Sequence, residues 1–337
     1  MFLSFIVPVY NVEKYLEECL DSLLDQDVDK SEYEIVCVND GSTDGSPEIL
    51  ARYAQRYPNI RIVTKENGGL AAARNTGLEH AVGEYVWYID SDDFIQQNVL
   101  GRIRELAEQT ACDRIYVDTY EFFNELSEEE KAAKKEEKLE VNCRKYNINV
   151  WNNVFRLAHL KEHGLYFHPE LRYAEDVIYM LEFTFVEYQE QKFDKVCYYY
   201  RQRANSLMTN ASLAAQMNKI AACSKIHGYY MEYYNKGLGE PAHLADKVMA
   251  NLWHLLSMVV NLPASERRKV MRQLKRDKVF PFKRLEACTI MKSYQTTRND
   301  LIGKMFDKAY INMHQPWGFA AMKMLQTAIR LKHSLRK

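Results

Sequence analysis

The first ninety residues switch repeatedly between two hydrophobic periods, and this limits the possible folds more than any other feature. LSFIVPVY (3–10), EIVCVND (34–40), IRIVT (60–64) and EYVWYID (84–90) are short, nearly continuous apolar runs. Between them, apolar residues recur three and four apart. In VEKYLEECLDSLLDQ (12–26) they are Val12, Tyr15, Leu16, Cys19, Leu20, Leu23 and Leu24, which form one face of a helix. Ser46-Pro47 supplies an N-cap and a first-turn proline for a second helix, to about Tyr57. After the Gly68-Gly69 break, the alanine-rich LAAARNTGLEHA (70–81) reads as a third. Strands buried on both faces and alternating with helices imply an α/β fold, a parallel sheet covered on both sides.

In such sheets, ligands bind beyond the carboxyl ends of the strands. Asn11, Asn39-Asp40-Gly41-Ser42, Glu66-Asn67-Gly68-Gly69 and Asp90-Ser91-Asp92 all follow strand ends, so they are expected to converge on one edge. WYIDSDDF (87–94) packs Asp90, Asp92 and Asp93 into four positions. Carboxylates that close repel one another unless water, hydrogen bonds or a cation compensates. Asp-x-Asp offers two hard oxygen ligands, and Mg²⁺ or Mn²⁺ held by few carboxylates completes its shell with water and phosphates. A solvated turn accounts for the same residues. Asp93 is equally well explained by a helix start.

Asp40 is placed to accept hydrogen bonds from a base or a ribose, or to cap a turn. Gly68-Gly69 before a helix suggests a phosphate loop. GGLAAA lacks G-x-G-x-x-G, which argues against a dinucleotide oxidoreductase. Arg74 lies close enough to that helix's N-terminus to face the same crevice. Glu175-Asp176 opens the apolar helix 174–188, where acids are favoured in any case.

Elsewhere, 124–140 is a highly charged, solvated helix or loop, 148–167 reads as a helix and turn, and 193–203 as a strand. From about 211 the pattern is helical. Residues 308–337 carry six Lys/Arg and no acid, with apolar residues interleaved. A basic helix on an anionic membrane is one reading, and a terminal helix packed on its own domain is the other. With 337 residues and 47% hydrophobic composition, about two domains with real cores are expected. A net charge of -1 gives no global signal for nucleic acid. The seven dispersed cysteines never form C-x-x-C and suit a reducing compartment. MFLSFIVPVY has no basic n-region, and no stretch approaches the roughly 18 apolar residues of a membrane span. The expectation is a cytoplasmic protein, peripheral at the inner face of the membrane if the basic tail binds there.

The segments LSFIVPVYNVEKYLEECLDSLL, EIVCVNDGSTDGSPEIL and KENGGLAAARNTGLEHAVGEYVWYIDSDDF, with the later AEDV, strongly resemble the family-2 glycosyltransferases of GT-A fold. The resemblance is dense over 3–100, traceable to about 208, and absent from the C-terminal third. It implies a Rossmann-like, mostly parallel sheet flanked by helices over 1–210, with its nucleotide half at about 1–100. A helical C-terminal region, 211–337, would serve acceptor or membrane-surface binding. It also implies inverting transfer of a sugar from a nucleotide-sugar, commonly a UDP-sugar, to a glycan or lipid-linked acceptor in surface polysaccharide biosynthesis. By resemblance, Asp40 contacts the base, and Arg74 helps hold the nucleotide. Pro8, Tyr10 and Asn11 line its pocket, with Asn67, Gly68 and Ser91. Asp92 binds Mn²⁺ or Mg²⁺, with Asp90 nearer the ribose and the metal's waters. Asp176 is the catalytic base, and Glu175, Trp151 and Asn152 border the acceptor. Arg201, Arg203 and Ser206 close over the diphosphate. Asn153 stands where many relatives carry lysine. A non-catalytic nucleotide-sugar or glycan-binding module on the same fold is the alternative. The sugar, the acceptor and the oligomeric state stay open.

Overall fold

A computed structural model describes residues 1–122, 149–202, 212–279 and 285. The chain divides into two compact units, Met1–Asn210 and Ala211–Lys337.

The first unit is built on one eight-stranded sheet. In chain order its elements are β1 (Leu3–Val9), α1 (Glu13–Leu24), β2 (Tyr33–Asn39), α2 (Ser46–Arg56), β3 (Ile60–Thr64), α3 (Leu70–His80), β4 (Tyr85–Tyr88), β5 (Phe94–Ile95), α4 (Leu100–Thr110), β6 (Arg114–Phe122), β7 (Asn153–Arg156), α5 (Leu157–Glu162), α6 (Glu175–Phe183) and β8 (Glu190–Arg201). The strand order is β3-β2-β1-β4-β7-β6-β8-β5. β3, β2, β1 and β4 are parallel, as the alternation predicts. β7 then runs antiparallel to both β4 and β6, while β8 is parallel to β6.

Residues successive along a strand face opposite sides of a sheet. Phe5, Val7 and Trp87 therefore join the core with Leu16, Leu20 and Leu23 of α1 and Ile103 of α4. Ile6, Val86 and Tyr88 join the opposite core with Leu78 of α3, Leu160 of α5 and Phe183 of α6. The helix α3 comes unusually close to β1, since a Cβ on Gly77 would lie 2.3 Å from Ile6 Cγ2.

Three local expectations change. Residues 153–156 form a strand at the sheet's centre rather than the helix read over 148–167, and the helix is confined to 157–162. The apolar positions Val154 and Phe155 suit either period, and pairing with β4 and β6 decides. Asp93 does not start a helix, because β5 follows it. Ser46 does not cap α2, since it is already helical. Its hydroxyl accepts the Val12 N–H at 3.1 Å and ties the two helix starts together.

The second unit is helical where described: α7 (Leu213–Lys236), α8 (Pro241–Val260) and α9 (Ala264–Arg276). Ser212 caps α7 by accepting from the Ala215 N–H, and Gly237 ends it in the left-handed conformation. Leu244, Val248, Leu252, Leu255, Leu256 and Val259 of α8 are buried, which gives the apolar run at 252–262 a core role. No described helix is long and apolar enough to cross a membrane.

Candidate active site

The loops at the carboxyl edge of β1, β2, β3 and β4 converge, and buried carboxylates organise them. Asp40, just past β2, is 2% exposed. Its Oδ1 accepts from Lys65 Nζ at 2.7 Å and the Gly68 N–H at 2.9 Å, and its Oδ2 from the Gly69 N–H at 2.7 Å. Asn67 Nδ2 donates to the Asp40 carbonyl at 3.0 Å. A carboxylate has about four acceptor positions, so Asp40 works chiefly to shape the Gly68-Gly69 turn.

Gly69 has φ 86° and ψ 168°, a region open essentially to glycine alone. Arg172 lies over it: a Cβ there would sit 2.4 Å from an Arg172 guanidinium nitrogen. Gly69→Ala is therefore expected to destabilise the protein by about 1–3 kcal/mol. Urea unfolding checks this, and an unchanged midpoint would refute the strained-turn account.

Arg74 joins two distant segments. It is buried, and it donates to Asp90 Oδ1 at 2.6 Å and to Glu175 Oε1 at 2.6 Å. The Phe167 ring lies 5.3 Å from its guanidinium carbon. Burial would lower the Arg74 pKa, but Asp90, Glu175 and Asp176 outweigh it and raise it. The clamp thus holds the Asp-x-Asp strand end against the first turn of α6. Beside it, burial and then the Glu175 charge push Asp176 up to about 8, although Arg74 opposes them. Asp176 is half-buried by solvent exposure, yet closely ringed by protein.

The third aspartate has a different task. Asp93 is buried and accepts from the Tyr198 hydroxyl at 2.7 Å and the Arg201 N–H at 2.7 Å. Burial, then Asp92 and Asp90, hold its pKa well above the usual carboxylate range. Arg201 also donates through Nε to the Asp92 carbonyl at 2.9 Å and through Nη2 to Glu18 Oε2 at 2.5 Å. Its guanidinium carbon lies 5.0 Å from the ring centroids of both Tyr15 and Phe122. Asp93 and Arg201 therefore lock β8 beneath the Asp90–Asp92 turn.

Residues 4–161 match the model for glycosyl transferase family 2. These residues are a family-2 glycosyl transferase domain. The uncharacterized glycosyltransferase EpsJ of Bacillus subtilis is 36% identical over 216 residues, covering 60% of this chain and 62% of EpsJ. Poly(ribitol-phosphate) beta-N-acetylglucosaminyltransferase TarS of Staphylococcus aureus is 31% identical over 228 residues, 64% of this chain and 38% of TarS. The chain thus spans less than two thirds of the length of these relatives. The crystal structure of S. aureus TarS 1–349 with UDP-GlcNAc aligns at TM-score 0.67 and 20% identity, covering 98% of this chain and 92% of that one. The fold is of the GT-A type, with a helical C-terminal region.

The remaining family positions fall unevenly. Asn11 (φ 51°) accepts from the Thr43 N–H at 2.8 Å, and Tyr10 is exposed at the same edge, whereas Pro8 is buried within β1. Ser91 is buried in the aspartate turn. Trp151 is also buried. It stacks on Tyr198 and Tyr200 at 4.7 and 5.2 Å, and its carbonyl accepts from Trp87 Nε1 at 2.7 Å. Packing thus accounts for Trp151, and Asn152 is buried with its Oδ1 accepting from Asn153 Nδ2 at 2.8 Å. Asn153 has a definite structural task, accepting from Arg114 Nε at 2.6 Å. Arg203 and Ser206, with the charged segment 124–140 and the tail 308–337, lie outside the described residues.

Motif reasoning missed Lys65, Arg172 and Tyr198. Lys65 follows β3 directly and was legible as a charge beside the glycine turn. Arg172 and Tyr198 reach the site only through the chain's long return.

Proposed function

We propose that this chain is an inverting glycosyltransferase that moves a sugar from a nucleotide-sugar donor to a hydroxyl of a glycan or lipid-linked acceptor. UDP-sugars are the donor class favoured, with surface polysaccharide as the product class. The observation that carries the reading is the Arg74 bridge, which sets the Asp90–Asp92 strand end beside Glu175 and Asp176. The match of residues 4–161 to the family model and the names of the relatives support it.

The chemistry follows from charge. The acceptor oxygen bonds to the anomeric carbon while the bond from that carbon to the donor phosphate breaks. The electron pair leaves on the nucleoside diphosphate. Attack from the face opposite the leaving group inverts the centre. The acceptor hydroxyl is a weak acid and must lose its proton as it attacks. Asp176 takes that proton, and a pKa near 8 suits a base working near neutrality. Arg74 restrains Asp90 and Glu175, so the carboxylates keep their spacing.

The residues fit a divalent cation. Asp90 and Asp92 are both partly open, and one Asp90 oxygen is engaged by Arg74. The raised pKa values of Asp93 and Asp176 arise from burial and then from neighbouring carboxylates, a negative excess that a cation would relieve. Among the described residues, no group of three or more His, Cys, Asp or Glu could hold a metal. Asp92, with Asp90, would therefore hold Mn²⁺ or Mg²⁺ in a shell completed by water and phosphate. When bound, the cation supplies positive charge to the departing diphosphate.

The test is turnover of a UDP-sugar panel with Mn²⁺ by wild type, Asp92→Ala and Asp176→Ala. Wild type is expected to be active, and both variants to lose activity. Donor affinity should fall for Asp92→Ala and hold for Asp176→Ala. Nucleotide binding with no turnover against any acceptor would favour the binding-module alternative, and neither would sink the transferase reading.

A further inference from the structure

The short helix α9 carries a charge distribution that its own fold does not use. Residues 264–278 contain seven Lys/Arg and two acids, within a chain of net charge -1. Both acids are engaged: Glu266 pairs with Lys269 at 2.9 Å, and Asp277 accepts from Gln273 Nε2 at 2.6 Å and Ser224 Oγ at 3.2 Å. Arg268, Arg272, Lys275, Arg276 and Lys278 are exposed, and none has a carboxylate within 4.0 Å among the described residues. At 3.6 residues per turn, the exposed helical cations, with Lys269, cover an arc of about 120°. Val270 and Leu274 lie on the opposite side and are buried.

We infer that α9 is a docking surface for the anionic headgroups of a lipid bilayer. Four to eight Lys/Arg on one face of an amphipathic helix is the density at which anionic lipid attracts a protein surface. The apolar side of α9 already serves its own unit, so the contact is electrostatic and lies on the membrane without insertion. A bilayer suits the pattern better than a single polyanionic strand. The exposed cations spread across an arc of about 120° rather than along one row, which matches an extended surface. This inference makes no use of the transferase chemistry.

Vesicle sedimentation of the full chain, without donor or metal, tests it. Binding is expected to vesicles of phosphatidylcholine with phosphatidylglycerol, and not to phosphatidylcholine alone. It should vanish in about 1 M NaCl, where the screening length falls to about 3 Å. Each cation near such a surface contributes about fivefold to partitioning. The variant Arg268→Gln/Arg272→Gln/Lys275→Gln should therefore bind about 100-fold more weakly. Arg268→Lys/Arg272→Lys should bind as wild type, and all variants should melt as wild type because the positions are exposed. Three results would overturn the inference: equal binding to neutral vesicles, undiminished binding by the triple glutamine variant, or capture by soluble polyphosphate with none by vesicles.

Discussion

Asp176→Asn is expected to lower kcat by about 10²–10⁴-fold, the range that a positioned proton acceptor supplies. The amide matches the carboxylate in shape but cannot take the acceptor's proton. Donor affinity should change little, which separates loss of the base from loss of the site. A variant retaining more than a tenth of wild-type kcat would remove Asp176 from this role. The same substitution has a stability signature. In the ligand-free protein Asp176 sits at about 8, against an ordinary 3.8. A carboxyl with a raised folded-state pKa holds its proton more tightly when folded. That contribution is complete below the ordinary value and is lost as pH rises through about 8. Asparagine never titrates. In chelator, the melting temperature of Asp176→Asn relative to wild type should climb between about pH 4 and 8 and then level off. A difference independent of pH would show that Asp176 is not desolvated as described.

Arg74→Ala is expected to cost about 3–5 kcal/mol of stability, the usual result of removing one partner from a buried ion pair. The loss is large because Asp90 and Glu175 would each keep a buried or half-buried charge without its partner. Asp176 would also lose the Arg74 charge that lowers its pKa. Arg74→Lys should recover only part, since a single ammonium does not reproduce a planar fork bonded to two carboxylates. Urea unfolding gives the measurement, and a loss under about 1 kcal/mol would place the pair among weak surface bridges.

The parallel half of the sheet was legible because each strand there is a continuous apolar run bounded by turn residues. β7 was not, because Val154 and Phe155 fit a helical stripe as well as a strand. The reading assigns no element to 96–122, where α4 and β6 stand, although both periods are present. Asp93 shows the same limit at the site. Three aspartates in four positions look alike in sequence, yet one is buried under Tyr198 while the other two stay partly open.

Sequence alone determined the alternation of periods, hence a doubly covered sheet, and put the polar loops at its carboxyl edge. It also carried the family motifs, because these are local runs whose residue types have to be adjacent. Tertiary structure decided which polar residues meet which. Arg74 and Glu175 are separated by a hundred positions of chain, and no local pattern states that one guanidinium will bind both Asp90 and Glu175. Asp40 turned inward to hold the glycine turn, and Trp151 turned inward to stack on β8, because buried donors and rings must find partners. Such pairings depend on how the chain returns across the sheet, and that is a property of the packed whole.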